Sequence, residues 1–211
     1  MSRAGQVLTN PVTGERAVVR VGTEDGDGDG GEIIVDLFVR PGGAVAGEHV
    51  HPSNAESFTV IRGKVGFSVG GRRQIAEPGR QLHVPAGVAH DWWNAGDEEA
   101  HVRVEIRPGA RFEEMIQNFF GLAHDGKTDR RGMPHFLQLV LFALEFDDVI
   151  RFTRPPRIVQ RTLFRALAPL ARLRGYRGRY ARYSAEWLEA RSRESLAREA
   201  APSAVEPAGV R

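Results

Sequence analysis

The sequence predicts a mainly β domain, a sandwich or barrel, followed by an α-helical extension. Two observations carry this. From Arg16 to Arg107, short runs of alternating apolar and polar residues recur at close spacing, separated by Gly- and Pro-containing turns. At Pro108 the apolar period then changes from 2 to 3.6. The hydrophobic share of 41% supports a core, and with no cysteine in the chain neither a disulfide framework nor a thiolate metal site can form.

The strand assignments follow from side-chain alternation. Residues 1–22 supply a lead-in strand or two, including Arg16–Val21, and Gly22–Gly31 is a turn-rich acidic loop. Asp25, Asp27 and Asp29 alternate there as calcium ligands could. The loop lacks the later glutamate and following helix of a calcium loop, so it is read as solvated. Ile33–Val39 puts Ile33, Val35, Leu37 and Val39 on one face. Val45–His51 is the next strand, with His49 and His51 leaving the same face. After the Pro52–Asn54 turn, Glu56–Ile61 carries Phe58 and Val60 on the face of Glu56. Lys64–Val69 and Arg72–Ala76 form a hairpin around Gly70–Gly71, a two-residue turn of the kind hairpins favour. Gln81–Val84 and His90–Trp93 follow, the latter with His90 and Trp92 inward and Trp93 outward under a helix. His101–Arg107 closes the β region with Val102, Val104 and Ile106 inward.

Helical periodicity takes over beyond Pro108. Phe112, Met115, Ile116, Phe119 and Phe120 mark an amphipathic helix packing on the β domain, with Gly121 as its stop. Phe136–Phe146 is apolar almost all round and is expected between other layers. A third helical stretch runs from Pro155–Pro156 to Leu173. It carries an Arg157, Arg161, Arg165 ladder, with Ile158, Leu163, Leu167 and Leu170 facing elsewhere, and Pro169 is expected to kink or split it. The expected organisation is a β domain over 1–110, a helical extension over 111–183 packing on it, and an exposed helix with a disordered tail over 184–211.

Charge divides the chain. Residues 151–211 hold 14 Arg against 5 Glu, a balance of +9, which leaves −7 on residues 1–150 of a chain with net charge +2. Such a basic tail suits docking on the acidic half, an anionic membrane surface or nucleic acid. Ordinary docking is the expectation here, with neither nucleic acid nor membrane as partner. Residues 1–10 lack a basic, then apolar, leader pattern, and no run reaches the ~18 uncharged apolar residues of a membrane span. A soluble cytoplasmic protein is expected.

Chemistry concentrates in Gly43–Asn94. His49, His51 and Glu56 stand close together and His90 follows downstream, all on inward strand positions. Three imidazoles and a carboxylate suit one divalent transition metal: Fe, Mn, Ni, Cu or Zn. Four ligands leave a six-coordinate ion two open positions, as a catalytic site needs. Glu56 is also the candidate catalytic base, and Phe58, Phe67 and Trp92 are the expected substrate pocket. His83, His101, His124 and His135 lack partners at matching spacing and are read as non-ligands.

These residues carry a resemblance. Gly43, His49, His51, Glu56 and Gly63 stand as G-x5-H-x-H-x4-E-x6-G, and Gly79, Pro85, Gly87, His90 and Asn94 as G-x5-P-x-G-x2-H-x3-N. The pair resembles the two motifs of the cupin superfamily, in a single-domain cupin with a helical C-terminal extension. The resemblance implies a double-stranded β-helix, a jelly-roll barrel, with metal held by His49, His51, Glu56 and His90, and homodimers. Cupins host many activities, so the fold does not select one. The reading adopted is a metal-dependent, dioxygenase-like enzyme acting on a small organic substrate. The alternative is a non-catalytic small-molecule sensor. A sugar-epimerase type is disfavoured, because such cupins do not usually need the complete quartet.

Overall fold

The computed structural model describes residues 1–25, 31–44 and 47–200. The loop residues Asp27 and Asp29, the start of the strand expected at Val45, and the tail beyond residue 200 lie outside the described residues.

Eleven strands among the described residues form two antiparallel sheets. They are β1 (Val7–Thr9), β2 (Arg16–Val21), β3 (Ile33–Val39), β4 (His49–Val50), β5 (Ala55–Arg62), β6 (Val65–Val69), β7 (Arg72–Ala76), β8 (Gln81–Val84), β9 (His90–Asn94), β10 (Ala100–Arg107) and β11 (Arg151–Phe152). One sheet has the order β1-β2-β3-β10-β5-β8 and the other β11-β4-β9-β6-β7. Consecutive strands such as β4 and β5 fall in different sheets, and the core lies between them, as in the expected double-stranded β-helix. Phe58, Val60, Phe67, Trp92, Val102, Val104 and Ile106 fill it. Period-2 alternation puts these side chains inward. On the opposite face of β3, buried Asp36 accepts hydrogen bonds from Arg20 and Arg103.

The described residues also form four helices, α1 (Ala110–His124), α2 (Phe136–Glu145), α3 (Arg157–Leu173) and α4 (Ala185–Ala200), of which α3 packs on α2 and α4 on β1. The first helix does not stop at Gly121 but continues one turn further. Tyr183 lies against that glycine, where an added Cβ would come within 2.3 Å of the tyrosine Cγ. Gly121 therefore serves close packing rather than termination. The same packing engages the stretch 175–183: Tyr183 is buried and the Tyr180 hydroxyl donates to Gln138 Oε1.

Two other expectations are corrected. Of the kink or split expected at Pro169, α3 shows no split: it is continuous over Arg157–Leu173, and the proline sits on an exposed side where the carbonyl left without a partner can meet water. α4 is not exposed all round: Ala185, Leu188 and Ser192 are buried, and Ser192 Oγ accepts from the Thr9 amide at 2.8 Å. Its mixed composition hid a narrow apolar stripe that β1 covers. β11 was not foreseen. It is two residues long and extended only because it pairs with β4.

Candidate metal centre

The metal-ligand candidates meet. One donor atom from each of His49, His51, Glu56 and His90 lies within 4.8 Å of every other, and all four residues are buried. β4 presents His49 and pairs with β9 so that His49 faces His90 directly. His51 follows two residues after His49 and leaves the same side. Glu56, near the start of β5 in the other sheet, closes the group from across the barrel.

Backbone carbonyls fix the ring orientations. His49 Nδ1 donates to Gly47 O at 2.7 Å, His51 Nδ1 to Val149 O at 2.6 Å, and His90 Nδ1 to Val88 O at 3.0 Å. A carbonyl oxygen only accepts, so each Nδ1 carries the proton and each neutral ring turns a bare Nε2 lone pair inward. His49 Nε2 and His51 Nε2 are 3.1 Å apart. Two lone pairs at that distance repel unless a cation stands between them. Nitrogens on one metal at ~2.1 Å sit roughly 3.0–3.4 Å apart at octahedral or tetrahedral angles, so the spacing fits a shared ion. His90 Nε2 and Glu56 Oε2 approach to 2.7 Å, yet neither atom makes a properly oriented hydrogen bond. Both are buried polar atoms aimed at the same point, and the donor set fits a divalent cation.

The charges agree with this. Burial, then His51 and His90, push the His49 imidazole down to about 3, so it does not take up a proton. Burial also lowers His51, against the pull of Glu56 and the Val149 carbonyl. Burial alone would raise the Glu56 carboxyl, but the adjacent His90 and the other two imidazoles outweigh it and hold it below the usual carboxylate range. His90 moves the other way: burial lowers it, but contact with Glu56 raises it above an ordinary imidazole.

A cavity of about 110 Å³ opens beside the quartet. That is somewhat smaller than the roughly 150 Å³ engineered cavity known to admit benzene. Of the three residues expected to form a substrate pocket, Phe58 and Trp92 line this cavity and Phe67 does not. Its ring packs behind them, 5.3 Å from Phe58 and 6.4 Å from Trp92, in the barrel core. The α1 side chains Phe112, Met115, Ile116 and Phe119 complete the wall, so the stripe expected only to pack also roofs the cavity. Sequence reasoning missed these wall residues and the Val149 carbonyl. The aromatic stripe was a signal for the first, but no local pattern marks the second. Among the other histidines, His101 stacks on Phe38 at 4.4 Å and lies 3.4 Å from Asp36, outside the quartet.

Residues 36–112 match the family model described as Cupin domain. No curated protein matches the chain. A structure from Acidithiobacillus ferrooxidans is 24% identical, with a TM-score of 0.34 over 36% of this chain and 49% of that one; the chain thus spans about half of that structure's length. A sugar phosphate isomerase from a cupin superfamily, from Silicibacter pomeroyi, is 21% identical, with a TM-score of 0.40 over 49% of this chain and 68% of that one. The Cnp3 cupin domain of Schizosaccharomyces pombe is 16% identical, with a TM-score of 0.36 over 44% of this chain and 63% of that one.

Proposed function

We propose, from the premise that this chain is a cupin-domain protein, that it is a divalent-metal enzyme of oxygenase type acting on a small, largely apolar organic molecule. The observation that carries the reading is the set of three imidazoles pinned through Nδ1 to backbone carbonyls, with their Nε2 atoms converging on Glu56. A bound transition metal would supply Lewis-acid polarisation of a substrate oxygen and, if redox-active, reactivity with dioxygen. The chain's own residues do the rest. Phe58, Trp92 and Phe112 form an apolar wall that excludes water and selects a flat or branched apolar body. Glu56 is the base: its carboxylate is ionised, and it can take a proton from an enol or an acidic C–H of a molecule seated beside it. His90, already 2.7 Å from Glu56, can share that proton.

The test is oxygen consumption by the full chain loaded separately with Fe, Mn, Ni or Cu, in the presence of small β-diketone substrates. Uptake with at least one metal and loss of uptake in Glu56→Gln are expected. Absence of uptake with every metal, once bound metal is verified, overturns the oxygenase reading. The deep burial of the quartet, with His90 only 2% exposed, also suits a sensor that retains a ligand without turning it over. A tightly co-purifying small molecule recovered chemically unchanged would favour that second reading.

A further inference from the structure

α3 has three distinct faces. Gln160, Phe164, Ala168 and Ala171 are buried, and the helix packs on α2 through the alanines and Leu141. The leucines instead fall on an uncovered stripe: Val159, Leu163, Ala166, Leu170 and Leu173, at successive steps of 4, 3, 4 and 3 residues. Such steps keep side chains on one side of a helix over ~21 Å. Leu173 is 86% exposed and Ile158, beside the stripe, 77%, so large apolar side chains stand in water at both ends.

A third face holds the arginines. Arg161, Arg165 and Arg172 run along the helix, and Arg174 follows at its end. Among the described residues, none of these four pairs with a carboxylate, whereas Arg157 is bound to Asp147 at 3.1 Å. Residues 149–185 contain ten arginines and no aspartate or glutamate. An exposed apolar stripe bordered by unpaired arginines is complementary to a surface that is apolar inside and anionic at its rim.

We propose that α3 lies on the surface of an anionic lipid bilayer, with Ile158, Leu163, Leu170 and Leu173 entering the acyl boundary and Arg161, Arg165, Arg172 and Arg174 on lipid phosphates. A second copy of the chain fits the face less well. Antiparallel pairing of two α3 stripes would bring both arginine rows to one seam with no acidic side chain to offset them. A bilayer supplies many phosphates and a soft interior, so protruding side chains need no matching pocket. This docking is peripheral: no helix among the described residues is long and apolar enough to cross a membrane.

The test is co-sedimentation of the full chain with vesicles of phosphatidylcholine alone or with a quarter phosphatidylglycerol. Binding to the anionic vesicles is expected to be at least about tenfold tighter and to weaken as salt is raised. Arg161→Glu/Arg165→Glu and, separately, Leu170→Ser/Leu173→Ser should each lower it by about tenfold or more. Arg72→Glu/Arg80→Glu, which reverses two exposed arginines on the barrel, should change it by less than about twofold. All four α3 positions are exposed, so circular dichroism should show unaltered folding in both variants. Equal affinity for the two vesicle types, or equal loss in the barrel variant, overturns the proposal. So does a dimer that Leu170→Ser/Leu173→Ser dissolves while vesicle binding is absent, which would make a second copy the occupant.

Discussion

Replacing His90 with alanine tests the geometry of the centre most directly. His90 contributes one of four donor atoms that lie within 4.8 Å of one another. If four donors share an apparent binding free energy of about 10–16 kcal/mol, each is responsible for roughly 2.5–4 kcal/mol, or about a 70- to 900-fold loss of affinity when removed. A second effect works against this. The wild-type cluster must expel the proton that Glu56 stabilises on His90 before metal enters, and the variant need not. The variant also leaves Glu56 buried without its nearest partner, so that carboxyl rises toward its neutral form and competes less well as a ligand. The net expectation is a loss of about 100-fold. The measurement is calorimetric titration of metal-stripped protein with Zn²⁺ or Mn²⁺, with circular dichroism to verify folding. His49→Ala should behave similarly, while His101→Ala should match wild type, because that ring stacks on Phe38 away from the quartet. Equal losses in all three variants, or none in any, would refute the convergence of these donors on one ion.

Metal binding should release a proton at neutral pH, since His90 is held above an ordinary imidazole while His49 and His51 are held below it. Affinity should therefore rise with pH until the raised His90 value is passed and then level off; titrations in buffers of different ionisation enthalpy measure the proton directly. Glu15 offers a stability test. Burial pushes its carboxyl up to about 7, against a hydrogen bond from Thr13 that acts to lower it. The folded state therefore holds a proton there that the unfolded chain has already lost above the ordinary value of 4.5. Stability is fully present below that value, declines as pH rises toward about 7 and is flat above it, a total of roughly 3 kcal/mol. Glu15→Gln should match wild type near pH 4.5 and gain on it by that amount near pH 8, read from urea unfolding; a difference that does not vary with pH would count against the buried carboxyl. Gly121→Ala places a Cβ 2.3 Å from the Tyr183 ring. The gain in helix propensity, about 1 kcal/mol, is outweighed by overpacking of about 1–3 kcal/mol, so the urea midpoint should fall. A rise would mean that Tyr183 yields freely.

Much of this protein is written locally in its sequence. Period-2 alternation and Gly/Pro turns delimit Ile33–Val39, Gln81–Val84 and the Gly70–Gly71 hairpin, because strand and turn preferences depend on neighbouring residues. The four ligand-type residues were legible for the same reason: a two-residue step puts His49 and His51 on one side of a strand whatever surrounds it. Contacts between distant segments were decided only in the folded chain. His51 takes its orientation from a carbonyl 98 residues away, at Val149. Phe67 faces inward as its strand dictates, yet packs behind Phe58 and Trp92 rather than in the cavity. Gly121 reads as a helix stop until Tyr183 packs against it, and α3 buries Phe164, Ala168 and Ala171 while leaving Leu163, Leu170 and Leu173 exposed. In each case the side chain has two acceptable local roles, and the packing of a remote element selects between them.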